Sequence, residues 1–155
     1  MPKYGCSSLG FTTATTDKTA VYVNCNTAGD EAEIVELALF GSGGSAAADT
    51  THRASAVFNT GATDGTGTAQ TPEPFHQGSG AALPTVTVNH SAEPTTKNSV
   101  FPVLFGFNQR GGMRWSVPRG EGLTVRNGDT DDTFAWQVMS SAAGETDGHL
   151  HFWNP

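Results

Sequence analysis

At 155 residues the chain has the size of one ordinary domain, long enough to bury a core without metal or disulfide support. Charged residues make up only 15% of it, and the formal net charge is -7. That acidic balance excludes general nucleic-acid binding, which needs clustered cations to displace counterions, and it disfavours anionic membrane surfaces; no run of apolar residues is long enough to span a bilayer.

Residues 1–18, MPKYGCSSLGFTTATTDK, are polar and irregular and predict an N-terminal arm. They lack the apolar segment of a secretory signal. Residues 19–155 predict the folded domain. TAVYVNCN (19–26) alternates Val21, Val23 and Cys25 against Tyr22 and Asn24, a strand. EAEIVELALF (31–40) suits helix by its Glu, Ala and Leu content. It equally fits a strand with Val35, Leu37 and Leu39 on one face and Ile34, Glu36, Ala38 and Phe40 on the other; strand is favoured because its surroundings read as β. GSGGSAAADT (41–50) reads as a small-residue loop and THRASAVFN (51–59) as a strand.

Residues 60–84, rich in Gly and Thr, predict a long loop of the kind that is functional or ordered by a partner. TVTVNH (85–90) is a strand placing Val86, Val88 and His90 on one face, and SAEPTTKNS connects onward. VFPVLFGFN (100–108) is the most apolar run, and Pro102, which cannot donate to a ladder, puts it at a sheet edge. MRWSV (113–117) and LTVRN (123–127) flank the turn PRGEG; TFAWQVMSS (133–141) and HLHFW (149–153) complete about nine short strands. Without a β–helix–β rhythm, the pattern predicts an all-β fold, an antiparallel sandwich or jelly roll.

Candidate chemistry is sparse. FGSGGSA has Gly41, Gly43 and Ala46 in dinucleotide-loop spacing, but the residues after it make a poor helix, so a flexible turn is the better reading. His149 and His151, with Asp147 at the same parity, would share one strand face and are candidate metal ligands. The sequence supplies no third-ligand motif, only scattered His52, His76 and His90, so neither metal nor cofactor is expected. Asp129, Asp131 and Asp132 lack the spacing of a calcium loop and read as a turn. No nucleophile elbow or acid–base pair stands out, and the chain is not read as an enzyme. Cys6 and Cys25 read as reduced, Cys25 as a small apolar strand residue, with a bond between them left open.

Four of the eight Lys and Arg residues, Arg110, Arg114, Arg119 and Arg126, fall within FNQRGGMRWSVPRGEGLTVRNG (107–128). Alternation turns Met113, Trp115, Val117, Leu123 and Val125 inward and Arg114, Ser116, Thr124 and Arg126 outward. The arginines are therefore either a solvated face or candidates for a protein interface, where Arg pairs bidentately with carboxylates and stacks on rings.

Residues 83–128, with the strands after them, resemble the small jelly-roll proteins of tailed bacteriophages, among them trimeric head decoration (cement) proteins. The matching phrases are HSAEPTT (90–96), the apolar strand after it, the Arg-Gly-Gly stretch leading to Trp115, PRGEGLTV (118–125) and AWQV (135–138). These are turn and packing motifs rather than chemical ones. The resemblance implies a homotrimer on the outer surface of the capsid, with the chain itself and the major capsid protein as partners and neither nucleic acid nor membrane. A trimeric receptor- or glycan-binding fibre tip is the alternative, and a metal-binding cupin-like protein a further one.

Overall fold

The computed structural model describes residues 1–42, 49–59, 63–95 and 97–154. Among them there is no helix. The strands are β1 (Lys3–Thr12), β2 (Lys18–Asn24), β3 (Glu31–Gly41), β4 (Thr51–Asn59), β5 (Thr66–Gln70), β6 (Glu73–Pro74), β7 (Thr85–Ala92), β8 (Val103–Asn108), β9 (Met113–Ser116), β10 (Leu123–Arg126), β11 (Thr133–Ser140) and β12 (Glu145–Trp153). They form two six-stranded antiparallel sheets packed as a β-sandwich. One runs β10-β3-β12-β1-β6, with β9 also on β3; the other runs β5-β7-β2-β11-β4-β8.

The pairing has a simple logic. The chain runs outward through β1 to β4 and returns through β8 to β12. Each outgoing strand pairs with a returning one: β1 with β12, β2 with β11, β3 with both β9 and β10, β4 with β8. The segment between β4 and β8 extends both sheets on the same side, β6 pairing with β1 and β7 with β2.

Alternation builds the core as expected. Val21, Val23, Phe134, Trp136 and Val138 from one sheet meet Leu37, Leu39, Leu150 and Phe152 from the other, all buried. Trp136 is fully buried and its indole N–H donates across the sandwich to the Ala38 carbonyl at 3.4 Å. Segment 31–40 is strand, not helix: its apolar residues are split between two faces by the β pleat. β8 is a sheet edge beginning just after Pro102, as a residue lacking a backbone donor demands.

Four expectations change. Residues 3–12 are not an arm but strand β1, paired with β12 and β6, with Tyr4, Cys6 and Phe11 in the core. A register shift between Ser8 and Phe11, with Gly10 at φ 58°, breaks the alternation that would have revealed it. Within the expected loop 60–84, β5 and β6 add backbone ladders that use no apolar side chains. With β1 they raise the count from nine to twelve among the described residues. Ile34 faces inward with Leu37 because β3 bulges at Val35, between the pairs Ile34–Phe152 and Glu36–His151. His90 leaves the face of Val86 and Val88 because Asn89 adopts φ 53°; it packs on Tyr22 and bonds Thr87 on the outer face. Gly43 and Ala46 of the glycine motif, and part of the 41–50 loop, lie outside the described residues.

The connector after β7 does more than join strands. Glu93 reaches over the outer face of β2 and β11, accepting from the Thr19 backbone N–H at 3.0 Å, the Thr19 hydroxyl at 2.5 Å and the Gln137 amide at 3.2 Å. Asp64 likewise accepts from the Tyr22 hydroxyl and the Asn24 amide. These carboxylates satisfy buried polar groups that a bare sheet face would leave to water.

Candidate functional site

The outer face of the β3–β12 sheet carries the densest chemistry. On β12, period two turns Leu150 and Phe152 inward and His149, His151 and Trp153 outward. The bulge at Val35 sets the phase of β3 so that Glu36 stands opposite His151, and β9 brings Arg114 opposite Ala38, one step along. Three strands thus converge on one carboxylate.

Glu36 is the hub. Its Oε1 lies 3.0 Å from Arg114 Nε, an ion-pair contact, and 2.9 Å from His149 Nε2. Its Oε2 accepts from the second Arg114 nitrogen at 3.1 Å. His151 Nδ1 lies 3.2 Å from Oε2, but off the N–H direction, so that buried nitrogen makes no hydrogen bond. The two imidazoles stack, centroids 4.7 Å apart and 16° from parallel. Phe75 meets His151 edge-on at 4.7 Å and Phe40 flanks His149 at 5.9 Å. Gly5, beside His151 on β1, leaves the room: a Cβ there would stand 3.2 Å from both the His151 ring and Phe75.

Burial alone would raise the Glu36 carboxyl, but Arg114, His149 and the charge of His151 outweigh it and hold the group at about 2. His151 is pushed down from its ordinary value by burial, against the pull of Glu36, so the neutral ring is favoured. Burial also lowers His52 and His90.

The structure brings together His149 and His151, as expected, and adds Glu36. The strand pattern puts Glu36 on the face opposite Leu37 and Leu39 but does not place it beside the histidines. Only the bulged register across two strands shows that. Asp147 does not join; it accepts from the Gly10 N–H at 2.7 Å. Nor do the aspartates of the NGDTDD turn gather among the described residues: Asp131 accepts from Asn98 and the Asp132 carbonyl from the Cys25 N–H.

The four arginines are spread along the same sheet rim. Arg126 forms a two-point pair with Glu31 at 3.0 Å, Arg110 meets Asp49 at 2.8 Å, and Arg114 meets Glu36. Arg119 lies over the Trp153 ring at 5.5 Å and also touches the Met1 sulfur. Three of the four therefore face acids of their own chain while staying more than half exposed.

Cys6 and Cys25 are both free and buried, each thiol pushed up to about 12, chiefly by burial. Neither is an activated nucleophile. Away from the histidine cluster, the edge strand β8 exposes Leu104 and Phe105, and Val100 stands exposed just before it. Compared with protein-family models, curated proteins and solved structures, the chain matches none.

Proposed function

We propose that the chain is a virion structural protein of a tailed bacteriophage: a homotrimeric decoration, or cement, protein that binds the major capsid protein on the outer surface of the head and stabilises the shell. The observation that carries the reading is the strand order. Pairing of outgoing with returning strands, split into β1-β12-β3-β9/β10 and β2-β11-β4-β8, supports reading the sandwich as a jelly roll wound from one long hairpin, the fold of the proteins the sequence resembles. The segment between β4 and β8 is then an elaboration at the hairpin tip.

A cement protein works mechanically. A rigid body that touches a shell at several points holds it by effective concentration, each contact being weak alone. The sandwich supplies the rigidity. Val100, Leu104 and Phe105 supply small apolar anchors at an unpaired strand edge. The arginines take a lesser part than their clustering suggests, because Arg110, Arg114 and Arg126 already answer acids of their own chain. A glycan-binding tip would want Trp or Tyr at exposed loop ends for sugar stacking. Tyr4, Tyr22 and Trp136 are instead buried, and Trp115 and Trp153 half-buried.

The trimer is tested by light scattering on the purified chain. The expected result is a single species of three-chain mass across a tenfold dilution. A stable monomer would remove the symmetry on which the adhesion argument depends.

A further inference from the structure

The geometry points to a divalent transition-metal site formed by Glu36, His149 and His151 on the outer face of the β3–β12 sheet, with Arg114 holding the carboxylate from behind. One ligand atom from each of the three residues falls within 4.8 Å of the others. Imidazole nitrogen and carboxylate oxygen bind first-row divalent ions such as zinc at about 2.0–2.2 Å, which sets ligand atoms roughly 3.3 Å apart around a tetrahedron. The separations of His149 Nε2 from Glu36 Oε1 and of His151 Nδ1 from Glu36 Oε2, 2.9 and 3.2 Å, are of that size, each histidine facing its own oxygen of the carboxylate.

Two details separate this cluster from an ordinary surface ion pair. First, the buried His151 Nδ1 makes no hydrogen bond although it stands beside a carboxylate oxygen. A metal ion would give that nitrogen the partner it lacks. Second, Arg114 places one nitrogen on each Glu36 oxygen, and the same two oxygens face the histidines. A carboxylate has lone pairs for both. Such outer hydrogen bonds orient metal-ligating carboxylates and commonly change affinity by about 10–100-fold when removed. Phe75 and Phe40 wall the two rings, fixing their planes and limiting water on those sides. Three protein ligands leave a fourth position open toward solvent, where water or a group of a partner protein completes the shell.

The test is titration calorimetry with zinc chloride on chelator-stripped protein, paired with thermal unfolding in the presence and absence of zinc. The expected result is one zinc per chain and a rise in unfolding temperature on saturation. Affinity should fall at least tenfold in His149→Ala and in Glu36→Gln, and by about tenfold in Arg114→Met, which leaves all three ligands in place. His76→Ala, a change at an exposed histidine outside the cluster, should bind as the parent does. Circular dichroism establishes that each variant is folded. The site is overturned if zinc fails to saturate at one per chain, or if folded His149→Ala binds it as tightly as the parent.

Discussion

Trp136→Ala is expected to cost roughly 3–5 kcal/mol of stability, the range for removing a large buried aromatic and leaving a cavity. For a domain of this size that corresponds to an unfolding temperature lower by roughly 6–20 °C. The reason is position. Trp136 is the largest fully buried side chain, on an inner strand of one sheet, and its indole N–H reaches the Ala38 carbonyl of the other. Its neighbours Phe134 and Val138 are fixed by β11 pairing on both sides, with β2 and β4, so the site cannot readily collapse. Urea unfolding of parent and variant reads the difference. A loss below about 0.5 kcal/mol, the size seen for surface changes, would place Trp136 outside the core.

Glu36→Gln is expected to flatten the acid side of the stability profile, measured with chelator present. The carboxyl sits at about 2 in the fold against an ordinary 4.5. A carboxylate depressed in this way stabilises the fold fully above its unfolded value, and that contribution is lost as pH falls from about 4.5 towards about 2. Unscreened, such a shift corresponds to about 3 kcal/mol. Arg114 is 61% exposed, so solvent screening lowers the figure to roughly 1–2 kcal/mol. The groups facing Glu36 are Arg114 from β9 and His149 and His151 from β12. Urea midpoints at intervals between pH 7 and pH 2 should fall more steeply for the parent than for Glu36→Gln. Parallel profiles would mean that Glu36 gains nothing from its neighbours.

The elements legible in the sequence were those whose side chains alternate over most of their length, although β2 itself bulges at Ala20. β2, β4, β11 and the inward Met113, Trp115, Leu123 and Val125 come from period two alone, because a half-buried strand must put every second residue in the core. Bulges hid the rest. A single extra residue at Val35 shifts the phase of β3, and the irregularity before Phe11 disguises β1 as a polar tail. β5 carries no apolar face at all and exists through its ladder with β7. The site shows the same division. The shared face of His149 and His151 can be read from their spacing. Glu36 cannot, because its place beside them depends on which strand lies next to which, and local pattern does not encode that. The arginines read correctly as outward-facing; that Arg114 and Arg126 first meet acids of the same chain is again a matter of strand order.

The central claim concerns place, and imaging measures place. If the chain is the proposed cement protein, electron cryomicroscopy of phage particles assembled with it, with mass spectrometry of the same preparation, should find it in symmetric three-fold clusters on the outer surface of the head. Particles that lack it, or carry it only on the tail, would contradict the assignment.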